Sequence, residues 1–546
     1  MMIRFSLANS VIKFEVSILW PSILLIFLSE AFTRQISPMQ IEHIDIIRQN
    51  VFDQKEANQN FFYNFVNSLH PLTKERVIRN ELLFYKGDTL DASLLEESER
   101  NLRRLEFIGD ARITIDTLDN EQVRVRVNTE DCWTMGVQSG FKQEGGITSM
   151  YLGLKDGNFR GAGQKLTMSY QYRSDMHNPH GIQFFFREPH LFNTNWRTIL
   201  QYKNSEDLRI QTILIDRLFI HDQFEWAASF YTDFGKALIK EYENGKIMQQ
   251  YQLSRANQEI WFSRSMGKNL KFRYTCGYYR NRTTSPNIDN RSFENIDLIS
   301  LAINLMKRTY YKDQFLNNIG RIEDIPVGFL LNLNIGKNLR IFRENPNEFF
   351  YRADWLHAMK VRSSYYLSYV LSASSYLQGN IANDFSLRFT LLQNFKLPLK
   401  QTLLVRLSGV RGFRWSQGQQ LILGSNTGLR GYSAYEFSGQ RQLLINLEDR
   451  IFPNVNFWLF HIGGAFFFDS GMVWKEEQLF HRQRFHSSVG LGLRIANKKQ
   501  SGDGLLRIDL AFNLDKNRFT EIIISTGQLI SAFSNIDFIA PGHLLK

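Results

Sequence analysis

Cysteine is nearly missing from this sequence. Cys132 and Cys276 are the two cysteines in 546 residues, so no disulfide framework can staple the fold. Neither sits in a CxxC or Cys/His pair at ligand spacing, which argues against zinc or redox chemistry. Proline is scarce at 11 and glycine stands at 35, which excludes a collagen-like or proline-rich linker chain. Long apolar runs are missing too. A helical membrane span needs ~20 apolar residues, and the nearest approach is Val16 to Leu28 (VSILWPSILLIFL), interrupted by Pro21. A polytopic helical membrane protein is therefore excluded. No GxSxG, P-loop or HExxH motif occurs, so no enzyme activity, metal or cofactor is expected. Lys and Arg total 65 against 54 Asp and Glu. The basic residues are dispersed among apolar ones and form no compact patch, so nucleic acid is not expected as a partner.

Aromatic residues are abundant at 14%, with 45 Phe among them. The N-terminus carries an address. Arg4 and Lys13 precede the apolar run, and Ser29-Glu30-Ala31 puts small residues at the −3 and −1 positions of a cleavage site. Residues 1–31 read as a signal peptide, and the mature chain is expected to be exported.

Residues 40–131 mix helix and strand. Gln40 to Arg48 suits a first strand. Thr73 precedes ERVIRNELLF, where Val77, Ile78, Leu82 and Leu83 approximate an apolar helical face. A second helix is expected over Asp91 to Leu105, and two strands follow, over Ala111 to Thr117 and around Val123, Val125 and Val127. The expected order is β-α-α-β-β.

From residue 137 to 533 the periodicity changes to two. Leu506, Ile508, Leu510, Phe512 and Leu514 share one face, and Arg507, Asp509, Ala511 and Asn513 share the other. Phe272, Tyr274, Cys276 and Tyr278 likewise alternate with Arg273, Thr275 and Gly277. A soluble sandwich buries its apolar face between sheets, whereas a membrane barrel turns it to lipid and keeps the polar face on a wet lumen. Export, abundant aromatics and charge on the polar face favour the barrel. At roughly 25 residues per strand and connection, the segment holds about 16 antiparallel strands of ~10 residues each. Residues 534–546 trail beyond it as a tail. On this register Cys276 faces lipid and Cys132 sits at the domain junction, so both are expected as free or buried thiols.

One region carries a constellation. Leu429-Arg430-Gly431-Tyr432 lies in a glycine-rich loop, Asn446, Glu448 and Arg450 share the inward face of the next strand, and Phe467-x-Asp469-x-Gly471 follows on another. A loop Arg folded into the lumen can pair with a lumen carboxylate and fix the loop's position. A second string, Val410-Arg411-Gly412-Phe413, matches the bare pattern but lacks the flanking glycines and the spacing. Trp133 and Trp474 read as interface or core aromatics, and His177, His180, His481 and His486 as loop histidines. The sequon at Asn281-Arg282-Thr283 is discounted as a chance match.

These residues resemble the bacterial outer-membrane surface-antigen family, the BamA/TamA-like barrels. In that family a VRGF/Y motif tips the sixth extracellular loop and its Arg contacts an FxDxG motif inside the lumen. Leu429 to Tyr432 match the first, Phe467, Asp469 and Gly471 the second, and Glu448 an acidic position on the strand between. Residues 40–131 are similar to a POTRA domain, and Asn158-Phe159-Arg160-Gly161-x-Gly163 to the family's lead-in to the barrel. The chain departs from the pattern in carrying a single POTRA and in ending beyond its partial closing signal, Gly527-x-x-Ile530.

The resemblance implies an outer-membrane protein with its POTRA in the periplasm, assisting insertion, assembly or translocation of proteins. It implies outer-membrane lipid, unfolded or secreted clients at the POTRA strand edge, and periplasmic chaperones or accessory subunits as partners. It also implies a weak seam between the first and last strands. A dedicated two-partner-type secretion pore and a passive channel are the alternatives.

Overall fold

The computed structural model describes residues 39–531 and 533, apart from 119–121, 145–146, 221–222, 285–294, 320, 340–347, 380, 416–418, 498 and 501–504; the side chains of 137–144 and 454 also lie outside the description. The expected signal peptide and the 534–546 tail fall outside the described residues.

The N-terminal domain runs β1 (Gln40–Gln49), α1 (Gln54–Gln59), α2 (Phe61–Leu69), α3 (Glu75–Arg79), α4 (Ala92–Arg104), β2 (Ile108–Thr117) and β3 (Gln122–Asp131). Its sheet has the order β1-β3-β2, with β1 parallel to β3 and β2 antiparallel to it. The two helices read from the sequence are α3 and α4. The first is shorter than the ERVIRNELLF stretch because the chain leaves the helix at Asn80, while Leu82 and Phe84 still reach the core. For α4, Asp91 Oδ1 accepts from Ser93 N at 2.8 Å, and Arg103 and Arg104 sit in the last turn, against the helix dipole. Helices α1 and α2 are additional. Side chains start both: Asp53 accepts from Glu56 N and Asn60 from Phe62 N. They lie outside the helical stretches read from the sequence, and Ala57 and Val66 are their buried residues.

Among the described residues, twenty strands close into one barrel, from Met135–Glu144 to Arg518–Thr526. Neighbours in sequence pair antiparallel, and the last strand adjoins the first. The count is even, as is usual for bacterial single-chain barrels, and it is somewhat above the figure of about sixteen expected from spacing. The connections are tighter than that spacing assumed. Trp226–Glu243 and Lys246–Met266, for example, are joined by the two residues Asn244 and Gly245.

The barrel is inside-out relative to a soluble sandwich. Phe272, Tyr274 and Cys276 are exposed on the outer wall while Arg273 and Thr275 are buried within. Asn304, Asn332 and Asp354 on three adjacent strands form a polar ladder inside, with both amide donations at 2.7 Å. Neither cysteine forms a disulfide among the described residues. Burial at the domain junction pushes the Cys132 thiol up from its ordinary range.

The N-terminal domain sits across one mouth of the barrel. Arg103 forks onto Asp324 at 2.7 and 3.0 Å, and Lys312 reaches Glu99 at 2.5 Å. On the opposite side Glu106 accepts from Lys165 at 2.8 Å and Arg187 at 3.3 Å, and His190 bonds Glu81 at 2.9 Å. The Asn158 to Gly163 motif clamps this junction. Asn158 Nδ2 donates to Thr73 Oγ1 at 2.7 Å, its Oδ1 accepts from Gly163 N at 2.6 Å, and Lys74 N donates to Gly161 O.

The chain does not continue as strand after Thr526. Gly527 takes φ +74, a left-handed turn that favours glycine, and the next residues fold back into the barrel. Ile530 is buried against Tyr366, Leu392, Leu404 and Leu316, with Leu529 and Phe533 beside it. The barrel's strands therefore end before 533, and the partial closing signal places its Ile inside the lumen instead of on the membrane face.

Candidate functional site: a loop bound to the lumen wall

Between the strands Gln401–Phe413 and Arg441–Phe457 the chain enters the lumen. A small two-stranded stem, Leu421–Leu423 with Phe437–Gly439, carries it inward. At the tip, Gly428 adopts φ +114. The left-handed backbone there favours glycine, and a Cβ would lie 2.7 Å from Arg406 Nη2, which would have to shift. Asn446 Nδ2 donates to the Gly428 carbonyl at 2.8 Å and to Asp469 Oδ1 at 2.6 Å. Leu429 packs in a buried cluster with Leu423, Tyr432 and Leu444. Gly471 makes room beneath it: Leu423 and Leu444 each stand 3.0 Å from where its Cβ would be.

Arg430 is fully buried and meets three carboxylates. It grips Asp469 through Nε at 2.7 Å and Nη2 at 3.0 Å, and Nη1 donates to both Glu448 and Asp509 at 3.0 Å. Its guanidinium lies 3.5 Å from the centre of the Phe467 ring. Three carboxylates around one cation would repel each other in a site closed to bulk solvent. Further arginines offset them. Arg450 donates to Glu448 at 2.8 Å, Arg494 to Asp509 at 2.6 Å and Arg507 to Asp509 at 3.2 Å. The loop backbone is held as well: Gly431 N donates to Glu521 at 2.9 Å, and the Gly431 carbonyl accepts from Asn513 and Thr520.

The structure thus brings together Arg430, Glu448, Phe467 and Asp469, with Leu429, Gly431, Tyr432 and Gly471 packed around them. Sequence reasoning missed Asp509, Arg494 and Glu521. Glu448, Asp469, Arg494, Asp509 and Glu521 come from five consecutive strands, the last five of the barrel. The missed residues lie on the polar faces of alternating segments, which was the available signal; their meeting depends on strand register. Arg411 of the second VRGF-like string lies in the regular strand Gln401–Phe413, opposite Leu387 and Arg441. His486 is more than a loop histidine. It bonds Asp515 at 2.6 Å, and Asp515 also accepts from the Tyr432 hydroxyl at 2.9 Å. Burial works against the Asp515 carboxylate, but its bonds to His486 and Tyr432 hold it below the usual range. Trp474 is buried edge-on to Phe480, and Trp133 is half-buried at the domain junction.

Two segments enter from the mouth that the N-terminal domain covers. Arg450 Nη1 donates to Leu316 O at 2.9 Å and Nη2 donates to Ile530 O; Gln528 bridges Asn317 O and Arg494. The wall that holds Arg430 from one end therefore holds the 315–319 turn and the C-terminal segment from the other.

Residues 64–130 match the family model described as POTRA, surface antigen variable number repeat. No curated protein sequence matches the chain. Among solved structures, the chain is similar to BamA from Haemophilus ducreyi lacking POTRA domains 1–3, at 12% identity and TM-score 0.35, over 90% of this chain and 84% of that one. It is similar to CdiB from Escherichia coli at 11% identity and TM-score 0.43, over 90% and 75%. CdiB from Acinetobacter baumannii gives 11% and 0.39, over 92% and 95%. At these values the likenesses carry no functional weight.

The class is nevertheless defined by the chain itself: a transmembrane β-barrel preceded by a POTRA domain. Residues 64–130 carry the domain match, and the barrel carries the motif pair, with Arg430 seated on Asp469.

Proposed function

We propose that this protein assists the insertion, assembly or translocation of other proteins at the outer membrane, with its POTRA domain in the periplasm, and that it performs no covalent chemistry. The supporting observation is the pairing of a POTRA domain at one mouth with a loop bound inside the lumen. A passive channel gains nothing from either. Arg430 is the lock residue of this reading, with Asp469, Glu448 and Asp509 as its seat. Clients would add a strand to a POTRA edge. The β2 edge is guarded by Glu99, which accepts from Ile113 N at 2.9 Å while it holds Lys312 of the barrel. A client strand taking that amide would compete for Glu99 and reach the barrel through it.

A dedicated secretion pore is the second reading. Twenty strands enclose more room than a small barrel, and the segments that occupy it are not strands of the wall. The deciding experiment is the folding of a urea-solubilised small test barrel into liposomes with and without this protein. Acceleration that requires the POTRA domain and Arg430 supports an assembly factor. A correctly folded protein that gives none shifts the assignment to an exporter or channel.

A further inference from the structure

The helix α2 presents an apolar face that none of the described residues covers. Phe61, Phe65 and Leu69, spaced by four, are exposed by 87%, 50% and 47%. No residue of this helix is charged. Its other side is fixed: Val66 is buried with Val51 and Phe52, and Tyr63 stacks on Phe52 with ring centres 4.0 Å apart.

What lies beside this face identifies its partner. Phe62 packs 5.3 Å from Trp458, whose Nε1 donates to Tyr63 Oη at 3.1 Å. Trp458 is in the turn of the hairpin Arg441–Phe457 and Phe460–Trp474, and meets Phe460 edge-on at 6.3 Å. The outer wall of that hairpin pairs Phe457 with Phe460 and Val455 with Ile462, and Phe457 and Val455 are exposed by 69% and 49%. The apolar surface that the barrel turns to lipid thus passes from Phe457 and Phe460 through Trp458 to Phe62, next to Phe61 and Phe65 on α2.

We propose that α2 lies in the membrane interface on the POTRA side, its bare aromatic face taken up by lipid of that leaflet. An uncharged aromatic helix flush with a barrel's rim suits the boundary of headgroups and acyl chains. The contact would set the tilt of the POTRA domain on the mouth, because α2 joins the domain to the bilayer as well as to the barrel. It does not depend on whether the protein assembles, exports or conducts.

The test uses the full-length protein, with Cys132 and Cys276 replaced by alanine, in phosphatidylethanolamine/phosphatidylglycerol vesicles. Nitroxides are placed singly at Phe61→Cys and Leu69→Cys, with Ile462→Cys as the lipid reference and Lys86→Cys as the water reference. Collision with oxygen and with a water-soluble nickel chelate is measured. The expected result is that positions 61 and 69 follow 462, with oxygen access several-fold above nickel access, and that Phe62→Ser/Phe65→Ser shifts position 69 toward the water reference. Positions 61 and 69 behaving like 86 would overturn the proposal and leave the face to a soluble protein partner.

Discussion

Arg430 and Asp509 are 79 residues apart in the chain and meet at 3.0 Å, with neither side chain reached by solvent. This contact ties the loop to the next-to-last strand, beyond the Asp469 and Glu448 contacts. Removing the Arg side chain would strand Glu448, Asp469 and Asp509 together. Breaking a buried pair typically costs about 3–5 kcal/mol. Undocking of the loop admits water and limits that cost, because the barrel's ladder does not depend on the loop. Arg430→Ala should therefore give a folded, heat-modifiable barrel whose 420–437 segment becomes protease-sensitive and whose activity falls. A variant that fails to fold would make the cluster purely structural.

Gly428 gives a milder probe of the same docking. Alanine there meets both the φ of +114 and Arg406. Strain of this kind costs of order 1–3 kcal/mol. Gly428→Ala should loosen the loop tip while Arg430 still finds its carboxylates. Protease sensitivity between wild type and Arg430→Ala is the expected reading; no change from wild type would contradict the steric argument.

The POTRA contact should depend on pH. Burial opposes the charge on His190, but its bond to Glu81 and that charge outweigh it and raise its pKa above the usual value. Glu188 also faces it, accepting from His190 N at 3.0 Å. A raised folded pKa means the stabilisation is complete below the unfolded value of about 6.5 and is lost as pH rises through the folded one. Amide exchange over residues 74–83 should quicken across that rise, and His190→Gln should flatten the profile. A wild type insensitive to pH there would refute it.

Residues 528–531 lie in the lumen and are not part of the wall. Deleting residues 528–546 removes Ile530 from its cluster and Gln528 from Arg494, but leaves the last strand, Arg518–Thr526, intact. The truncated barrel should still fold and show larger single-channel conductance in planar bilayers. Equal conductance would mean the lumen is closed elsewhere.

The sequence by itself determined what depends on period and local chemistry. Alternation along Leu506 to Leu514 set which side chains face lipid, and the Arg430 and Asp469 motifs could be read as partners from their residue types. It could not determine strand number, because turn tightness, as at Asn244 and Gly245, hardly changes composition. It also gave no reason to single out α2, whose apolar face serves no core. The meeting of Arg430 with Asp509, the bond of Arg494 to Asp509, the hold of Glu521 on Gly431 N, and the return of Ile530 into the lumen were decided only by tertiary structure. Register across five strands and the curvature of a closed sheet bring those groups together, and neither is written in any one segment.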